Sequence, residues 1–259
     1  MSVRQASLAE LIVLAGAHGF AAVTTTPWLY TRAGVADADL RRLLDDHGVR
    51  VTYVDGLITA LPGTPPPHPS DASEEDCYRI AEALGATAIN VVHINGSPTP
   101  VAELAAALGP VCDRAATRGL RIVVEFLPGT GIADLPTALE LVRAVDAHNL
   151  GIVLDSWHLA RSGGTPDLLE PGAAALIGAV QLSDRRRAQD LEPYVPMSGR
   201  LLPGTGELPL VDIVARIRRA HPEIPVGIEV ISDEMRGLGA GAAAAAAAQA
   251  LRALLQRVG

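Results

Sequence analysis

Four short apolar runs in the second half of the chain each end in a residue type that ligates metals. They are Ile122-Val123-Val124-Glu125, Ile152-Val153-Leu154-Asp155, Ala179-Val180-Gln181 and Val226-Gly227-Ile228-Glu229. Each is followed by a loop and then a stretch with helical periodicity. As neighbouring strands of a parallel barrel, the four runs bring their polar tips out on one rim, where they converge. A carboxylate at the end of a buried strand needs a cation or a hydrogen-bond network to hold it. A divalent-metal site is therefore the leading expectation.

The chain is long enough for one large α/β domain, 1–259, and its hydrophobic fraction of 49% supplies a core. Aromatics make up only 3%, so Ala, Val, Leu and Ile must fill that core, as they do in β/α barrels. A net charge of −8 opposes a nucleic-acid partner, which needs clustered cations; the only dense basic run is Arg185-Arg186-Arg187. Cys77 and Cys112 lack metal-motif spacing and read as buried, reduced thiols. No apolar stretch is long enough to span a bilayer and no leader pattern opens the chain. The expectation is a cytoplasmic protein with a small-molecule substrate and no membrane or nucleic-acid partner.

Helical and strand patterns alternate along the whole length, which argues for β/α units. Strands are predicted over 20–24, 49–54 and 88–94 and at the four runs above. Helices are predicted from Ser7, over 37–47, from Ser73 to Gly85, over 101–117, 135–147, near 167–176, over 210–220, and through the Ala-rich end. An eighth strand belongs before Ser7, where only about six residues stand. The fold class is thus a (β/α)8 TIM-type barrel with its first strand abbreviated or missing. Either that strand is very short or this chain starts later than its relatives. A partner subunit in a homo-oligomer or a loop then covers the open edge.

Five segments in order, Val124-Glu125-Phe126, Gly151 to His158, Gln181-Leu182-Ser183-Asp184, Arg200 to Gly206 and Gly227-Ile228-Glu229-Val230, resemble the xylose-isomerase-like TIM-barrel family. That family includes sugar-phosphate isomerases and epimerases, inosose isomerases and dehydratases. The resemblance implies that Glu125, Asp155, Gln181 and Glu229 bind one divalent cation. Three carboxylates and an amide oxygen form a hard donor set, suited to Mn²⁺, Mg²⁺ or Co²⁺. Many relatives carry His where Gln181 stands, and some dehydratases carry Gln.

The resemblance further implies a metal-dependent isomerase or epimerase in which Glu125 and Glu229 exchange a proton on opposite faces of a ketose-like substrate through an enediolate. His158 and Arg200 match substrate-binding positions. Asp184 orients a ligand, meets Arg200 or caps its strand, and Trp28 and His93 stand at earlier rim positions, where they could touch substrate or simply pack. Loss of a β-hydroxyl from the same enolate makes the chain instead a dehydratase of a cyclic keto-polyol or a dehydroshikimate-like acid. The endonuclease branch of the fold needs a His-rich cluster on a basic face, which this chain lacks. A non-catalytic barrel is the remaining class, and it predicts no stabilisation by Mn²⁺ or Mg²⁺.

Overall fold

The computed structural model describes residues 2–3, 5–186, 193–195 and 199–258. Seven strands form one sheet in chain order: β1 (Ala22–Thr25), β2 (Arg50–Leu57), β3 (Ala88–Val92), β4 (Arg121–Glu125), β5 (Leu150–Asp155), β6 (Ile177–Leu182) and β7 (Val226–Ile228). Every neighbouring pair is parallel. The sheet curls into a nearly closed barrel with helices outside, the α/β architecture expected from the alternation. Among the described residues no strand precedes the first helix, and β1 does not pair with β7.

The helices are α1 (Leu8–Ala17), α2 (Pro27–Thr31), α3 (Asp37–His47), α4 (Glu74–Leu84), α5 (Val101–Ala116), α6 (Leu135–Val145), α7 (Ser156–Arg161), α8 (Pro171–Ala174), α9 (Leu210–Ala220), α10 (Asp233–Gly237) and α11 (Ala240–Val258). Local chemistry fixes the long ones. Ser7 and Glu10 cap α1 reciprocally, and Ser73 and Asp76 do the same for α4, each such cap being worth about 1 kcal/mol. Gly48 and Gly85 end α3 and α4 in the left-handed conformation that favours glycine.

Three short helices, α2, α7 and α10, are absent from the predicted helices, because one turn shows no 3.6-residue period. The helix expected near 167–176 is instead a 3₁₀ turn, Pro166–Leu168, followed by α8. Pro171 lacks the N–H that a continuous helix requires at that point. β2 also runs on to Leu57, three residues past the expected Val54, and this change bears on the site.

Ile89, Leu104, Ile122, Phe126 and Leu154 are fully buried in the core between sheet and helices. Cys77 and Cys112 are buried free thiols, as their spacing implied. Among the described residues no helix is long and apolar enough to cross a membrane.

Candidate functional site

Strand pleating places every second side chain on the same face, and at the carboxyl ends that face carries a polar ring. Glu125 ends β4, Asp155 ends β5, Gln181 lies near the end of β6 and Glu229 follows β7. All four are buried. Their strands are held in register by the Glu125–Val153, Asp155–Gln181 and Gln181–Gly227 pairs.

The ring contains one tight cluster. Oxygens of Glu125 and Asp155 and a ring nitrogen of His158 all lie within 4.8 Å of one another. His158 Nε2 is 3.2 Å from Glu125 Oε1 and 3.5 Å from Asp155 Oδ2. Its Nδ1 meets the Tyr194 hydroxyl at 2.7 Å, which fixes the imidazole plane. Asp155 also caps α7, accepting from Trp157 N at 2.7 Å. This cap explains why His158, one turn on, returns to the same point.

Glu229 joins the cluster through Arg200. The guanidinium is 2% exposed, so its charge has no water to turn to. Its Nη1 donates to Asp155 Oδ2 at 2.5 Å and to Glu229 Oε2 at 2.8 Å. Burial works against ionisation of Glu229, yet neighbouring cations, Arg200 among them, outweigh it and hold the carboxyl well below its usual range. Asp155 moves the other way: burial raises its pKa more than Arg200 and His158 lower it.

Gln181 supplies the test of whether these residues suit a cation. Its Nε2 donates to the Tyr53 hydroxyl at 2.7 Å, and its buried Oε1 has no hydrogen-bond partner. A buried amide oxygen left without a partner, on the strand paired with those that lead to Asp155 and Glu229, suits a divalent cation as a further oxygen donor.

The sequence reading missed Asp55. Asn90 Nδ2 donates to Asp55 Oδ1 at 2.9 Å and to Glu125 Oε2 at 2.8 Å, so the three side chains share one face. Asp55 is half-buried, and its pKa is pushed up to about 7 by burial first and then by the Glu125 and Glu229 charges. The available signal was period two along β2, where Val51, Tyr53 and Asp55 share a face. Ending that strand at Val54 hid it.

The remaining rim residues are placed as follows. Asp184 accepts from four backbone amides, those of Arg185, Gly204, Gly206 and Leu208, at 2.9–3.0 Å. It therefore shapes the 204–208 turn. A Cβ on Gly206 would lie 2.4 Å from Asp184 Oδ1, so only glycine permits that approach. Both nitrogens of His93 are engaged, by the Pro62 carbonyl at 2.9 Å and the Gly131 amide at 3.0 Å, and the ring braces two loops. Trp28 is 56% exposed with Arg32 over its ring, outside the buried polar ring. Ser156 Oγ bridges Ser183 N and O and ties β5 to β6. Arg187 lies outside the described residues.

Comparison with known proteins places this geometry among relatives. Residues 11–256 match the model of the xylose isomerase-like TIM barrel family. The chain is 30% identical over 249 residues to a putative hydroxypyruvate isomerase of Streptomyces coelicolor, covering 86% of this chain and 85% of that one. It is 34% identical over 156 residues to a 3-dehydroshikimate dehydratase of Pseudomonas aeruginosa, covering 60% of this chain but only 24% of the dehydratase. Among solved structures, the IolI protein, whose crystals hold a zinc atom, superposes with a TM-score of 0.84 at 18% identity over 100% of this chain and 96% of its own. A xylose isomerase-like TIM barrel/4-hydroxyphenylpyruvate dioxygenase fusion protein gives 0.83 at 22% identity over 99% of this chain, which spans 42% of that longer protein. The match over nearly all of its length shows that the chain belongs to the xylose isomerase-like TIM barrel family.

Proposed function

We propose that this chain is a divalent-metal-dependent isomerase or epimerase acting on a ketose-like or keto-polyol substrate. The observation that carries the reading is the buried Gln181 oxygen without a hydrogen-bond partner, on the strand between those that lead to Asp155 and Glu229, with Arg200 bonded to both carboxylates. Glu125, Asp155, Gln181 and Glu229 would hold the cation, with the His158 nitrogen in reach of the first two. When bound, Mn²⁺, Mg²⁺ or Co²⁺ would neutralise the oxyanion that develops as a proton leaves the carbon beside a carbonyl.

The chain's own residues supply the rest. Glu229, kept ionised by the cations around it, takes the proton α to the carbonyl. Glu125, on the opposite side of the ring and carrying a proton when substrate binds, returns that proton to the other face or to the neighbouring carbon, and Glu229 then releases the proton it took to solvent. His158, oriented by Tyr194, donates a hydrogen bond to a substrate oxygen, and Arg200 orients the substrate while offsetting the carboxylates. The chain contains no lysine, so a side-chain Schiff base, the alternative way to acidify that carbon, is not available in it.

The dehydratase of the Pseudomonas comparison and the Gln181 amide favour a second reading, in which the β-hydroxyl leaves from the same carbanion. Incubation of the Mn²⁺-loaded protein with keto-polyols in D₂O separates the two. Deuterium uptake at constant composition is the expected result, whereas loss of water with a new conjugated absorbance identifies a dehydratase. No deuterium uptake and no rise in melting temperature with any of the three metals would sink both.

Asp55 gives a pH prediction for the metal-free protein. Its folded pKa, about 7, lies above the unfolded value of about 3.9. The folded state thus keeps a proton that the unfolded state has released. That stabilising contribution is complete below about pH 4 and fades as pH rises to 7. Melting curves across pH 4–8 should show a falling limb in the native protein that Asp55→Asn flattens. An identical limb in both proteins would assign it to another group.

A further inference from the structure

The four proposed ligands stand at the ends of β4 to β7, yet the other half of the barrel reaches them with side chains of its own. In the sheet, β3, β4 and β5 separate β2 from β6. The Tyr53 side chain nevertheless crosses the lumen from β2, and its hydroxyl meets Gln181 on β6.

The sequence makes room for that crossing. Tyr53 pairs with Ala88 on β3, and Gln181 pairs with Gly227 on β7. Alternation puts Ala179 on the same face as Gln181, one pleat deeper. A methyl group or a bare Cα at these points leaves space for a phenol ring. Tyr53 is only 5% exposed, and a buried phenol needs a polar partner for its hydroxyl. Gln181 is that partner.

The consequence lies in the amide. Its two ends are nearly equal in size but opposite in polarity: the oxygen attracts a cation and the NH₂ group repels one. Two orientations of almost the same shape therefore compete at Gln181. In the observed one, Nε2 donates to the Tyr53 hydroxyl at 2.7 Å, and Oε1 is buried without a hydrogen-bond partner. Tyr53 gives the buried NH₂ group the acceptor that this orientation requires, and an unpaired NH₂ group is costly to bury. Burial, followed by the Asp55, Glu125 and Glu229 charges, holds the phenol well above its usual pKa. It thus stays neutral and accepts from the amide without adding a charge to the site.

Glu125 is treated alike. Asn90 Nδ2, from β3, donates to its Oε2 at 2.8 Å, while Oε1 lies 3.2 Å from His158 Nε2. In both cases a strand without a ligand occupies one end of a ligand side chain and leaves the other end to the ring.

We propose that Tyr53 is a positioning residue: by holding the amide nitrogen of Gln181 across the lumen, it keeps the amide oxygen turned to the cation. The inference rests on the metal site proposed for this ring. It requires that metal affinity depend on Tyr53 only while Gln181 is present.

Calorimetric titration with Mn²⁺ of the native chain, Tyr53→Phe, Gln181→Leu and the double variant tests this without recourse to turnover. Phenylalanine keeps the ring and removes only the oxygen. Tyr53→Phe should weaken Mn²⁺ binding by about tenfold or more, the range for loss of a group that orients a ligand. In the Gln181→Leu background the same change should alter affinity by less than about twofold, since no amide remains to be aimed. An equal loss in both backgrounds means that the phenol acts through packing or field, and overturns the proposal. Unchanged binding in Tyr53→Phe also overturns it. Where Tyr53→Phe does not fold, or Gln181→Leu no longer binds Mn²⁺, NMR of the Mg²⁺-loaded native chain decides. Overhauser contacts from the Gln181 NH₂ protons to the Tyr53 ring support the proposal, and their absence overturns it. A native chain that binds none of Mn²⁺, Mg²⁺ and Co²⁺ removes the metal reading itself, whereas binding indifferent to Tyr53 removes only its positioning role.

Discussion

Glu229→Gln should leave the barrel folded and lower turnover by about 10²–10⁴-fold, the range associated with loss of one acid–base group. The amide keeps the shape of the carboxylate and one oxygen to accept from Arg200 Nη1, now at 2.8 Å. What it loses is the basic electron pair that the neighbouring cations keep unprotonated. Circular dichroism and melting curves check the fold, and turnover at saturating Mn²⁺ separates weakened metal binding from lost proton transfer. The sharpest readout is isotopic: solvent deuterium should no longer enter the substrate carbon. Glu125→Gln, examined in the same way, should show the complementary defect, with proton removal retained and return impaired. Full activity in Glu229→Gln would contradict the assigned role.

The sequence revealed residues better where strand endings coincide with chemistry than where they do not. Glu125, Asp155 and Glu229 stand immediately at or after apolar runs, and a parallel barrel leaves such residues only one rim to occupy. Asp55 is harder, because Gly56 and the loop-like composition after it mask the continuation of β2 to Leu57. Asn90 was read merely as part of a strand, since nothing in an apolar run announces that an amide will bridge carboxylates from two neighbouring strands. Asp184 and His93 show the converse. Their residue types suit substrate contact, but the structure engages their polar atoms with backbone. A donor or acceptor's partners depend on loops that approach from distant sequence, and period alone carries no such information. Gln181 was legible as a candidate ligand from the apolar run it ends and from the family resemblance; its oxygen's lack of a hydrogen-bond partner emerges only in the structure, where the Tyr53 hydroxyl on β2 holds the other end of the amide.

Arg200→Met should destabilise the metal-free protein strongly and render it more responsive to metal than the native chain. The guanidinium lies between Asp155, which is fully buried, and Glu229. Removing one partner of a buried ion pair costs about 3–5 kcal/mol because the remaining charge has neither water nor partner. For a chain of this size that corresponds to a fall of roughly 6–20 °C in melting temperature. The same change frees both carboxylates for a cation, so Mn²⁺ should restore most of the loss and bind about tenfold more tightly, a difference of about 1.4 kcal/mol. The pH response should reverse in part. Glu229, its pKa now depressed less, contributes less of the stability that the native chain holds at neutral pH and loses as pH falls through the carboxylate range. Calorimetric titration of both proteins with Mn²⁺ measures the competition directly. Weaker metal binding in Arg200→Met would mean that guanidinium and cation do not share these oxygens, and that the arginine organises the metal site instead of holding its place.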